Sequence, residues 1–235
     1  MQLKLIARHQ EDETCESFQF QPEGPLTFEA GQYLRYTLDH PAPDNRGVSR
    51  FFTVASAPSE PFVMLTTRFS TPGSTFKRAL RRLEVGAVVE AAGPYGRFTY
   101  AEREMPAVFV AGGIGITPFR SILLDLASRP YGADITVLYG NRTPEIPFRH
   151  LFDDLTSKQP RLRIVYVISE PNPEWHGPVG RIDEAFIREH VSLASMPAFY
   201  VSGPKAMVEA IEGALHTVGV ADEKIKKDYF PGYDS

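Results

Sequence analysis

A single cysteine, Cys15, stands among the 235 residues. That scarcity excludes an internal disulfide and any zinc or iron-sulfur centre built from several thiolates of this chain. The 6 histidines show neither H-x-x-x-H nor H-E-x-x-H spacing, so no bound metal is indicated. No segment approaches the roughly 20 apolar residues of a membrane span, and "MQLKLIARHQEDE" lacks the apolar stretch of a secretion signal. Charge of one sign is scarce too: 25 Lys and Arg against 29 Asp and Glu leave a net charge of -4, with the basic residues scattered. Nucleic acid and membranes are set aside as partners. A cytoplasmic protein is expected, and any redox chemistry would need an organic cofactor.

What is present is apolar substance, 43% of the residues, enough for two compact domains. Up to about Tyr100 the pattern is short and alternating, as in "LKLIAR", "ESFQFQ", "QYLRYTL", "SRFFTVAS", "FVMLTTRF" and "AVVEAAG". Closely spaced strands of this kind predict an antiparallel barrel or sandwich. After "AEREMP" the rhythm changes. Apolar runs "AVFVAGG", "DITVLYG", "RLRIVYVIS" and "AFYVSG" alternate with helical patterns, which predicts a doubly wound α/β domain with a parallel sheet. Phe148, Leu151, Phe152 and Leu155 share one helical face, as do Met207, Ile211, Ala214, Leu215 and Val218. The expected division is 1–104 and 105–235.

The stretch "VFVAGGIGITPFRSIL" joins an apolar strand to a helix through Gly112, Gly113 and Gly115. Ligands of a parallel sheet sit at such carboxyl ends. Glycine permits positive φ and close approach of a phosphate to the main chain. Thr117 reads as the N-cap and Pro118 as the first helical residue, aiming free N–H groups at the turn. The same glycines would also serve a plain tight turn.

Taken with "YVSGPKAM" and "SRFFTVAS", "GGIGITP" resembles the ferredoxin-NADP reductase and cytochrome b5 reductase superfamily over nearly the whole chain. The resemblance implies a flavin-binding antiparallel β-barrel followed by a nicotinamide-binding α/β domain. It implies that Arg50 pairs with the FAD pyrophosphate, that Phe52 lies against the isoalloxazine ring, and that Thr53 hydrogen-bonds near flavin N5. Phe51 belongs to the same motif, although barrel core is the preferred reading of its side chain. Thr66 and Arg68, in "MLTTRF", are candidates at the flavin edge, and Gly73, Ser74 and Thr75 form a second phosphate seat or a plain helix cap. The loop "DHPAPDNRGVS" would shelter the adenine.

On the nicotinamide side the resemblance puts Thr117 near both rings, and Gly203, Pro204 and Met207 at the floor of the site. Ser202 stands where many members have cysteine, and Asp228 where many have glutamate. Thr53, Ser202 and Asp228 are thus the polar set around the transfer path. Phe230 or Tyr233 would cover the flavin, related reductases ending at or near the aromatic matched by Phe230. Asn141 and Arg142 follow the second parallel strand, and an arginine there can meet the 2'-phosphate of NADPH. The implied activity is an FAD-dependent NAD(P)H reductase delivering electrons to an external redox protein such as a ferredoxin, a flavodoxin or an oxygenase, or to free flavin or quinone. A nucleotide-binding regulatory or scaffolding module without turnover is the alternative.

Overall fold

The computed structural model describes residues 1–101 and 104–229. Six strands, β1 (Gln2–Gln10), β2 (Cys15–Pro22), β3 (Tyr33–Thr37), β4 (Ser49–Thr53), β5 (Val63–Arg68) and β6 (Val88–Tyr95), form one antiparallel sheet in the order β4-β3-β6-β1-β2-β5. Alternation supplies its inner face. Leu3, Leu5, Phe18, Phe20, Leu34, Tyr36, Leu65 and Val89 are buried together under the short helix α1 (Thr75–Arg81), which contributes Phe76 and Leu80.

The second sheet is parallel and five-stranded: β7 (Ala107–Gly112), β8 (Ile135–Asn141), β9 (Leu162–Ile168), β10 (Ala198–Gly203) and β11 (Ile225–Tyr229), in the order β11-β10-β7-β8-β9. The β7 run is buried at every position because helices or the first sheet cover both its faces. Helices α2 (Thr117–Ala127) and α3 (Arg149–Lys158) contribute to one apolar cluster, and α4 (Glu184–His190) and α5 (Lys205–Thr217) to another on the opposite face. The order turns about β7 and β10, so a crevice opens at their carboxyl ends, at Gly112 and Gly203.

The two sheets share a core. Ala30, Ala55, Met64, Phe98 and Tyr100 of the first part pack in one cluster with Phe109, Phe119, Ile122 and Tyr200 of the second. The rings of Phe109 and Phe119 stack at 4.9 Å, and Phe98 meets Phe119 at 5.6 Å. A polar clamp closes the same boundary: Arg120, 6% exposed, donates to Glu60 Oε2 at 2.8 Å, to Glu60 Oε1 at 3.0 Å and to the Ala55 carbonyl at 2.7 Å. Ser121 Oγ donates to the Ser56 carbonyl at 2.6 Å.

Two expectations about helix starts change. Phe148 precedes α3 rather than joining its face, taking φ 62° at the N-cap position while its side chain remains buried. Thr117 does not cap α2. A tight turn of 3-10 type, Gly113–Ile116, runs straight into that helix, which puts Thr117 and Pro118 inside its first turn and sends the Thr117 hydroxyl back to the Ile114 carbonyl at 3.2 Å. The free N–H groups therefore belong to the glycine turn itself.

Candidate functional site

Strands β4 and β5 are the edges of the antiparallel sheet, bonded on one side only, to β3 and β2. Their other main-chain edges border a common cleft of about 480 Å³. Tyr33, Arg50, Phe51, Phe52, Thr53, Thr66 and Thr67 line it from the antiparallel sheet, with Lys77 of α1 and its N-cap Ser74. Ile114 of the glycine turn, Thr117 of α2, and Asp228 and Tyr229 of β11 line it from the other half of the chain. One space thus touches both halves of the chain.

Its walls suit a flat ring with a polar edge. Phe52 is wedged against Phe76 at 5.8 Å and Tyr36 at 5.9 Å, so its ring is held by the core while its edge reaches the cleft. Phe51 corrects the expectation of core packing: β4 turns it outward, 61% exposed, where it meets Tyr33 at 5.6 Å and Tyr95 at 6.5 Å. Thr53 and Thr66 are buried at the cleft wall, and Thr66 Oγ1 is fixed by Ser17 Oγ at 2.8 Å. Arg50 is almost wholly buried over the Phe76 ring, and its Nε has no hydrogen-bond partner among the described residues. Such an orphaned donor in a site wall is what an incoming anion would satisfy.

Arg68 is not among the residues of this wall. Its guanidinium runs to the interface between the sheets, where Nη2 lies 3.6 Å from where a Gly113 Cβ would be. Gly73 adopts φ +66° ahead of α1, Ser74 caps that helix by accepting from the Lys77 N–H at 3.2 Å, and Thr75 is held by Asp44 and His40. The second phosphate seat expected at these three residues is therefore engaged by the chain's own groups.

At the switch of the parallel sheet, Gly113 takes φ +51°. Close packing, rather than room for a phosphate, explains the other two glycines of the turn. A Cβ on Gly115 would stand 2.3 Å from the Ser202 carbonyl oxygen, and one on Gly112 2.1 Å from Met207 Sδ. Met207 also packs on Gly203, so "GGIG" and "SGPKAM" interlock at the crevice as one unit. Among the described residues, Ser202 Oγ and both side-chain amide atoms of Asn141 are buried without partners at the carboxyl ends of β10 and β8, and Arg68 Nε is likewise orphaned at the end of β5. Polar groups left unsatisfied at strand ends are suited to a polar ligand crossing the crevice.

Asp228 pairs in register with Ser202 across β10 and β11, and its carboxyl, pushed up to about 6 by burial, lines the cleft. Thr53 and Asp228 thus share the cleft while Ser202 is wholly enclosed beside them. Phe230 and Tyr233 lie outside the described residues. Arg142 is exposed, and the sequence reading missed its neighbour: Glu170, two residues beyond β9, places Oε2 3.5 Å from Arg142 Nε. Tyr33, Thr67 and Lys77 were missed as well. An aromatic opening β3 and polar residues flanking recognised positions were the only signals for them.

Known proteins share the order of these two parts. Residues 2–100 match the oxidoreductase FAD-binding domain and residues 109–213 the oxidoreductase NAD-binding domain. The phenol 2-monooxygenase reductase component DmpP of Pseudomonas sp. is 30% identical over 202 residues, 84% of this chain and 56% of that protein. Reductase component 1 of the terephthalate 1,2-dioxygenase of Comamonas sp. is 29% identical over 206 residues, 86% of this chain and 59% of that protein. The chain thus spans little more than half the length of these two relatives. In fold it resembles the cytochrome b5 reductase domain of Ulva prolifera nitrate reductase, with TM-score 0.85, 22% identity, and coverage of 97% of this chain and 96% of that one. No helix among the described residues is long and apolar enough to cross a membrane. A flavin module and a nicotinamide module matched in that order, over a cleft that both line, mean that the chain belongs to the ferredoxin-NADP reductase and cytochrome b5 reductase superfamily, with FAD and a nicotinamide dinucleotide as its cofactors.

Proposed function

We propose that this chain is an FAD-dependent NAD(P)H reductase that passes electrons to an external redox acceptor. The observation carrying the reading is the shared cleft, which Phe52 and Thr53 of the antiparallel sheet line together with Thr117 of α2 and Asp228 of β11. Bound FAD supplies the redox chemistry, taking a pair of electrons from reduced nicotinamide and handing them on singly or together. The chain's own groups bind and orient. Phe52, backed by Phe76, offers an apolar surface to the ring, and Arg50 attracts the diphosphate. The Thr53 hydroxyl, at the cleft wall, would hydrogen-bond the polar edge of the ring near its reacting nitrogen. Thr117 and the Gly113 turn hold the nicotinamide dinucleotide close to it, and Ser202, Gly203, Pro204 and Met207 form the floor. Asp228 holds or releases a proton at the rim of the cleft, in a range set by its burial. The buried walls keep water from the path.

The division at residue 104/105 belongs to this reading, each part supplying one wall of the cleft, and so does a cytoplasmic location. Oxygenase components are the acceptor class to test first, because the relatives include the reductase components of a monooxygenase and a dioxygenase. The experiment is an absorbance spectrum of the purified protein before and after anaerobic NADH or NADPH. A flavin spectrum that bleaches supports the reading. Bound FAD that neither nucleotide reduces would favour a regulatory module without turnover.

A further inference from the structure

Asp44, in the loop between β3 and β4, gathers donors of the kind a phosphate uses. Its Oδ1 accepts from Arg50 Nη2 at 2.5 Å and from the Arg46 N–H at 3.0 Å, while Oδ2 accepts from the Thr75 N–H at 3.2 Å and the Thr75 hydroxyl at 3.1 Å. Partial burial works against the ionised carboxyl, but these hydrogen bonds and the Arg50 charge outweigh it and hold the group at about 2. Asp44 is therefore anionic throughout the physiological range.

The rest of Arg50 is drawn into the same loop. Its Nη1 donates to the carbonyls of Arg46, Gly47 and Ser49 at 2.8–2.9 Å, leaving Nε buried and unpartnered among the described residues. A carboxylate and three carbonyls thus surround a guanidinium that is almost wholly buried in the cleft wall. A diphosphate approaching Arg50 meets a like charge already seated on Nη2. Two anions on one guanidinium repel, and in a partly buried setting the repulsion is only weakly screened.

Resting on the reading of this cleft as the FAD site, we propose that Asp44 is a built-in competitor for the flavin diphosphate. The diphosphate can reach the unpartnered Nε, but the Asp44 carboxylate must leave Nη2 before it can engage the whole guanidinium fork, so Asp44 sets both the affinity and the exchange rate of FAD. The Arg46 N–H loses its acceptor when Asp44 swings away, and the loop opens with it.

The test is titration of flavin-free protein with FAD, followed by quenching of flavin fluorescence, with ADP as a diphosphate probe lacking the ring. Asp44→Asn should bind FAD about 10–100-fold more tightly, with faster association, and should gain affinity for ADP as well. Circular dichroism checks that the variant is folded. A second measurement needs no substitution: in the unmodified chain, hydrogen exchange at the Arg46 amide should quicken when FAD is added. Unchanged or weaker FAD binding by the folded variant, or slower exchange at Arg46, would overturn the inference and make Asp44 a positioning residue for Arg50. Absence of FAD binding by both proteins would overturn the flavin reading itself, and this inference with it.

Discussion

Replacing Asp228 by Asn should stabilise the protein, and by an amount that depends on pH. Burial raises this carboxyl from 3.8 to about 6, and no cation among the described residues offsets it. Lys226 is turned to the Tyr200 hydroxyl and Lys227 to Glu212. Below 3.8 both folded and unfolded chains hold the proton; between 3.8 and about 6 the unfolded chain releases it first, so the native state loses stability as pH rises through that window. The full difference corresponds to about 3 kcal/mol, which water in the open cleft screens to about 1–2 kcal/mol. At pH 4.5 about a third of it remains. Urea unfolding of the flavin-free wild type and the Asn variant at pH 8 and pH 4.5 reads both numbers. An equal gain at the two pH values, or a loss at pH 8, would refute a desolvated carboxyl at this position.

Glu60→Ala should cost about 3–5 kcal/mol, since among the described residues it leaves the buried Arg120 charge with only the Ala55 carbonyl to accept from it; a loss under 1 kcal/mol in denaturant unfolding would show that the clamp is dispensable. Gly115→Ala puts a methyl 2.3 Å from a main-chain oxygen that has no rotamer to change. It should lower stability by about 1–3 kcal/mol and weaken nicotinamide binding while FAD stays bound, and a variant with the wild-type melting temperature and nicotinamide affinity would refute the interlock. Glu170→Ala frees Arg142 from its exposed partner and should raise the NADPH-to-NADH ratio of specificity constants. An unchanged ratio would remove the pair from nucleotide selection.

The elements legible in the sequence are those whose burial follows a short period. Leu3 and Leu5 alternate with exposed neighbours on β1, and the β7 run is apolar throughout because it is covered on both faces. Arg50, Thr53 and the glycine turn were legible through their motifs, each a few residues long. What the sequence hid depends on long-range meetings. Asp44 reaches Thr75 across 31 positions, and Glu60 reaches Arg120 across 60. Arg68 looked like its cleft-lining neighbour Thr66, but as the last residue of β5 it reaches the interface between the sheets. Thr117 before proline has the composition of a cap, yet a tight turn already precedes it and takes over the helix start.

The apolar cluster that joins the two sheets has a consequence for anyone building chimeras from this chain. Expressed alone, residues 1–104 would display Ala55, Met64, Phe98 and Tyr100 to water, and the remainder would display Phe109, Phe119 and Tyr200. Those are the surfaces that drive aggregation. Neither half is a portable cassette, and exchanging nicotinamide modules between relatives requires grafting both sides of the Phe98–Phe119 contact together with the Glu60–Arg120 pair.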